Sequence, residues 1–164
     1  MTNPARITSS VLTICLLSLS AQCAFGESPS DARLIERGRY LVKIAGCNNC
    51  HTVGYAETGG NVSEKKWLTG SPLGWNGPWG TTYAANLRLV MQTLSEEEWL
   101  ALARTRQLRP PMPWFALRDM SKQDLEAIYR FIRYLGPAGN AAPAYIPPDK
   151  EASGAVVRFP APPK

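Results

Sequence analysis

The chain has 164 residues, enough for one domain, and carries 18 Lys and Arg against 13 Asp and Glu, a formal net charge of +5. The basic residues are scattered along it rather than gathered into a stripe, which excludes nucleic acid as the partner that the charge serves. Four cysteines and a single histidine bound its metal and thiol chemistry.

Residues 1–26 read as a secretory signal peptide. Arg6 supplies the positive start, and Val11 to Leu19 the apolar run, interrupted by Thr13 and Ser18. Small residues follow, with cleavage expected near Ala24-Phe25-Gly26. The apolar run is too short for a committed membrane span, so the mature form is expected in the periplasm without a stable membrane span. A retained N-terminal anchor is the alternative, and lipidation of Cys23 is disfavoured by Gln22 before it. Cleavage removes Cys15 and Cys23 and leaves Cys47 and Cys50 as the only thiols.

Helix signals begin at Pro29-Ser30-Asp31, with Ser30 as a candidate N-cap. Leu34, Ile35, Leu41, Ile44 and Ala45 recur at spacings near three and four, and Gly46 should end the helix. Gly38 in its middle costs about 1 kcal/mol relative to alanine, so close approach of another helix is expected there. Immediately after comes Cys47-Asn48-Asn49-Cys50-His51. Cys-x-x-Cys-His is the attachment sequence for haem c: the two thiols add to the two porphyrin vinyl groups, and the next imidazole reaches the iron. Zinc wants four ligands, which a lone histidine and one cysteine pair do not supply. A thioredoxin-like pair wants strand–helix alternation around it, which is missing. Haem attachment occurs outside the bacterial cytoplasm, so the motif and the signal agree.

Residues 52–86 are rich in glycine and hold Pro72, Pro78, Trp67, Trp75 and Trp79. Such a composition is expected to form a loop without regular elements that wraps a flat apolar ligand, at least one tryptophan touching the haem. Ser95-Glu96-Glu97-Glu98 is a capping box opening a helix to about Gln107. Arg109-Pro110-Pro111-Met112-Pro113-Trp114-Phe115 is expected to break all helix. Ser121, with Asp124, opens the last helix. Leu125, Ile128, Tyr129, Ile132 and Leu135 form its apolar face, and Gly136-Pro137 ends it. Residues 137–164 are dominated by proline and alanine and read as an extended tail, pinned by Tyr145, Ile146, Val156, Val157 and Phe159 in part and loose at its end.

Haem iron has a second axial position. With no second histidine, Met91, Met112 and Met120 are the candidates in the mature chain. Met91 lies in an apolar run and reads as core, and Met120 sits where it would pack under the last helix. Met112 is held between two prolines that limit its backbone, and it is favoured as the second ligand. Ligation by Met120 and an open or differently ligated site remain the alternatives.

Together these features resemble a class I cytochrome c over residues 31–136. Pro111-Met112-Pro113-Trp114, Met120-Ser121, Asp124-Leu125 and Ile128-Tyr129-x-Phe131-Ile132 are similar to cytochrome c domains that accept electrons from periplasmic dehydrogenases. The resemblance implies an all-α fold of three to four helices in residues 27–136, around one covalently bound haem c. It implies thioethers at Cys47 and Cys50 and axial ligands His51 and Met112. It also implies crossing terminal helices, with Gly38 against Tyr129 or Tyr134, and a loop proline carbonyl, from Pro72 or Pro78, on the ligand histidine.

The expected function is a monohaem electron carrier between a periplasmic dehydrogenase and an oxidase or another cytochrome, with no catalytic residues of its own. A tightly bound dehydrogenase subunit is the second reading, and a haem enzyme or gas sensor with a labile sixth ligand the third.

Overall fold

The computed structural model describes residues 29–160; the expected signal peptide, with Cys15 and Cys23, and the last four residues lie outside the described residues. Helix α1 (Pro29–Ile44) turns Ile35, Leu41 and Val42 inward, and Ser30 lies inside its first turn. Helix α6 (Lys122–Leu135) buries Leu125, Ala127, Ile128, Tyr129, Phe131 and Ile132. These two helices make the most extensive packing in the molecule. Their crossing runs through Gly38, where a Cβ would lie 2.0 Å from the Ala127 carbonyl oxygen and 2.6 Å from Phe131 Cβ. The neighbours are therefore Ala127 and Phe131, not the expected Tyr129 or Tyr134. Tyr129 instead donates to the Leu94 carbonyl at 2.9 Å, and Tyr134 is 55% exposed.

Two local caps set the remaining long helices. Ser95 Oγ accepts from the Glu98 amide at 3.2 Å while the Glu98 carboxylate accepts from the Ser95 amide at 2.7 Å, opening α4 (Glu96–Thr105). Ser121 Oγ accepts from the Asp124 amide at 3.1 Å and opens α6, which stops at Gly136 with φ 67°. Trp99 Nε1 donates to the Leu125 carbonyl at 2.9 Å and ties α4 to α6. Between them α5 (Trp114–Asp119) starts inside the stretch expected to break all helix. Pro113 sits at its N-cap, where a missing N–H leaves no hydrogen bond unmade.

The all-α expectation is corrected. Among the described residues six helices accompany a three-stranded sheet of order β2-β1-β3. Strands β1 (Gly74–Gly77) and β2 (Gly80–Tyr83) form an antiparallel hairpin inside the stretch expected to lack regular elements. Thr81, Thr82 and Tyr83 have the branched and aromatic side chains that suit a pleated strand. Strand β3 (Val156–Arg158) comes from the tail and pairs parallel with β1 at the sheet edge, Val156 opposite Gly74 and Val157 opposite Trp75. The tail also covers the other edge, where Thr81 and Ile146 exchange backbone hydrogen bonds of 2.7 and 3.0 Å. Phe159, expected near a loose end, donates its amide to the Asn76 carbonyl at 2.8 Å and packs against Trp75 and Trp79.

Candidate functional site

Gly46, with φ 73°, turns the chain sharply out of α1 and into the short helix α2 (Cys47–His51). An i, i+3 spacing puts Cys47 and Cys50 on one face of that turn. Both thiols are free and half-buried. Burial pushes the Cys47 thiol up to about 11 and raises Cys50 as well. Reactive thiols in exchange usually have a lowered pKa, whereas burial here favours the protonated form. Among the described residues no group of three His, Cys, Asp or Glu side chains is placed to hold a metal ion.

His51 is buried, and its Nδ1 lies 2.7 Å from the Ala85 carbonyl oxygen. A carbonyl only accepts, so Nδ1 carries the proton and Nε2 keeps its lone pair. Burial lowers the imidazole pKa, opposed by the Ala85 bond, and so favours the neutral ring. The orienting carbonyl thus belongs to Ala85, not to Pro72 or Pro78. Three stretches lie side by side to place it: the Gly70 amide donates to His51 O at 2.8 Å, and the Ser71 amide to Ala84 O at 3.1 Å. Only glycine fits at 70, where φ is 81° and a Cβ would meet the Asn86 nitrogen at 2.8 Å. Beneath them Thr52 Oγ1 donates to Asn48 Oδ1 at 2.7 Å and accepts from the Leu68 amide at 2.8 Å. Leu68 is fully buried with φ 60°, a left-handed conformation costing about 1–2 kcal/mol that these contacts hold in place.

Met112 lies in the loop between α4 and α5, partly buried against the core. Its amide donates to Arg109 O at 3.2 Å, its own carbonyl accepts from the Trp114 amide at 2.8 Å, and the Pro110–Pro111 bond is cis. Thr82 Oγ1 donates to the Pro110 carbonyl at 2.6 Å. The guanidinium of Arg109 stands 3.9 Å above the Tyr145 ring. One extended run from β2 therefore touches both stretches of interest, Thr82 on the Met112 loop and Ala85 on His51, about 10 Å of strand apart. Met91 is fully buried in the core, as read from the sequence, and Met120 joins the partly buried shell around that core.

The tryptophans separate by role. Trp67 is core: it donates to Val62 O at 2.8 Å and meets Tyr55 and Phe131 edge-on. Trp79 donates to Trp75 O at 3.3 Å and packs on Phe159. Trp75 Nε1 is buried with no acceptor. Leaving a buried donor unmet costs about 1–3 kcal/mol, and a porphyrin carboxylate is an acceptor of the right kind. Two thiols a helical turn apart and an imidazole with its outer nitrogen available fit a thioether-bound haem.

Ala85, Thr82 and Arg88 were not singled out from the sequence. A backbone carbonyl leaves no side-chain signal at Ala85. Arg88 had one, a lone cation in the apolar Leu87-x-Leu89-Val90. It is buried in the short helix α3 (Leu87–Val90) and donates to Gly136 O at 2.5 Å, to Lys65 O at 2.8 Å and to Leu135 O, closing the C-terminus of α6.

The sequence model of the cytochrome c family matches residues 35–136. The chain is 26% identical over 145 residues to the cytochrome c subunit of the quinone alcohol dehydrogenase of Gluconacetobacter polyoxogenes, and equally to that of Komagataeibacter europaeus. Each match covers 82% of this chain and 28% of the relative, so the chain spans little more than a quarter of these relatives' length. No solved structure matches it significantly.

Proposed function

The chain belongs to the cytochrome c family, carrying haem c covalently and working as an electron carrier, and from that premise we propose how its residues hold the group and whom they serve. Cys47 and Cys50 form the two thioethers. His51, through Nε2, and Met112, through its thioether, would hold the iron. The bound haem supplies the one-electron couple, and the protein contributes attachment, ligation and a dry pocket. The observation that carries this is the Ala85 bond, which fixes the His51 tautomer beside two free thiols in one turn. Thioether ligation favours ferrous iron and raises the potential relative to two nitrogens. With both axial positions filled, no site is left for substrate, which suits transfer rather than turnover.

Residues 27–136 are the cytochrome domain and 137–164 its tail, whose described part, to residue 160, pairs with the hairpin; residues 1–26 are removed on export to the periplasm. Among the described residues no helix is long and apolar enough to cross a membrane. The electron donor is a dehydrogenase, the reading that the relatives' names support, and the acceptor an oxidase or another cytochrome. Arg104 and Arg106, exposed just before the Met112 loop, suit an acidic docking surface on such a partner.

Substitution of the methionines tests the ligand assignment. Met112→Ala should abolish the far-red sulfur-to-iron charge-transfer band, lower the potential by on the order of 0.1 V and open the iron to carbon monoxide, whereas Met120→Ala should do none of these. The reverse pattern would move the ligand to Met120, and rapid carbon monoxide binding by the untreated protein would favour a sensor or enzyme.

A further inference from the structure

We propose that the C-terminal tail is a positioning strap for the sixth-ligand loop, with Tyr145 as the residue through which it acts; this rests on Met112 as that ligand. The tail closes both edges of the hairpin, Ile146 on β2 and Val156–Arg158 on β1. Space is reserved for it. A Cβ on Gly80 would meet the Ile146 carbonyl oxygen at 2.3 Å, and one on Gly74 would meet Val156 Cγ1 at 2.9 Å. At Gly80 the approach is backbone to backbone, made only where glycine permits it, whereas at Gly74 the neighbours are side chains, Thr81 Cγ2 at 2.7 Å as well as that of Val156.

The strapped hairpin then grips the residues just before Met112 in two ways. Thr82 Oγ1 holds the Pro110 carbonyl at 2.6 Å. The Tyr145 ring lies 3.9 Å beneath the Arg109 guanidinium, and its hydroxyl donates to Trp79 O at 2.9 Å, fixing the ring to the hairpin. At its start the tail is tied to the histidine side as well. Asn86, next to Ala85, donates from Nδ2 to the Ala138 and Asn140 carbonyls at 2.7 and 3.0 Å. The tail thus braces the loop bearing Met112 against the segment that orients His51. A loop so held spends less time displaced from the iron, and an incoming ligand must wait for that displaced fraction.

The test uses the full-length ferric holoprotein and cyanide as the incoming ligand. Tyr145→Ala should raise the cyanide affinity roughly three- to tenfold, the worth of one partly shielded cation–π contact, and weaken the far-red band. Ile146→Pro, which removes the N–H that pairs with Thr81, should act in the same direction without touching Arg109. Tyr145→Phe keeps the ring over which Arg109 stands but loses the hydroxyl bond to Trp79, and should fall between Tyr145→Ala and wild type in both affinity and band. Affinities within twofold of wild type in both Tyr145→Ala and Ile146→Pro, with the band intact, would overturn the strap and leave Met112 ligation standing. A wild-type protein lacking the band would instead overturn the ligand assignment, and the strap with it.

Discussion

The α1–α6 crossing and the strapped hairpin both depend on glycines that admit a close backbone, yet they constrain different things. At the crossing, Gly38 lets two amphipathic helices meet face to face, and the buried neighbours are aliphatic and aromatic side chains on both. At the hairpin, Gly74 and Gly80 admit a thin extended segment whose hold is mainly backbone hydrogen bonds and a few stacked rings. The first region buries apolar area and so carries stability. The second buries little, but its strand β2 runs on to Ala85 and touches both the histidine and the methionine stretches. With His51 and Met112 as the proposed ligands, stability and ligand orientation are held by separable parts, and substitutions should dissociate them.

The largest effect is expected at the crossing. In an open helix Gly→Ala gains about 1 kcal/mol. At Gly38 the new methyl would sit 2.0 Å from the Ala127 carbonyl oxygen, so the helices must part. Gly38→Ala should lose about 3 kcal/mol in denaturant unfolding of the holoprotein, while the far-red band of the remaining folded fraction stays unchanged. A gain in stability would show that the crossing yields easily and would erase the contrast between the two regions. The opposite signature belongs to Thr82→Val. It removes the 2.6 Å bond to Pro110 and should cost about 1 kcal/mol. Its main reading should be a several-fold rise in cyanide affinity, because the lost bond restrains the Met112 loop rather than the core. Equal shifts in both measurements for both variants would mean that the regions act as one.

The same division decides what could be read from the sequence. The Ser95 and Ser121 caps act over three residues, α6 announces its face at helical spacing, and Gly38 stood out because glycine is costly in mid-helix. Cys47, Cys50 and His51 are adjacent, so their placing on one helical turn was legible as a unit. The sheet was hidden because β1 finds one of its partners some eighty residues later, at Val156–Arg158, and no local pattern marks such a pair. Glycine hid it further: Gly74, Gly77 and Gly80 read as loop, whereas at 74 and 80 they provide clearance for the tail. The proline expected on His51 gave way to Ala85 for a related reason, since any residue has the carbonyl that the imidazole needs. Tyr145 and Phe159 were legible as pins for the tail, but not the surfaces they would meet.

The smallest effect sharpens the contrast from the helical side by pH. Glu98 accepts from the Ser95 amide, and these hydrogen bonds to Ser95 hold its carboxyl below the usual glutamate range of about 4.3. Between the folded and the ordinary pKa the unfolded chain binds more protons, so stability rises with pH there. The contribution is whole above about pH 4.3 and fades as the pH falls through the lower, folded value. Glu98→Gln keeps an acceptor for the Ser95 amide but removes the charge, so it should flatten that acid limb and slightly lower stability at neutral pH. Because the box lies on α4, away from the hairpin, the far-red band of the folded protein should follow the same pH curve in the variant and in the wild type. A band that moved with Glu98 would tie the helix cap to the methionine loop, and the separation of stability from ligand orientation would fail at its most exposed point.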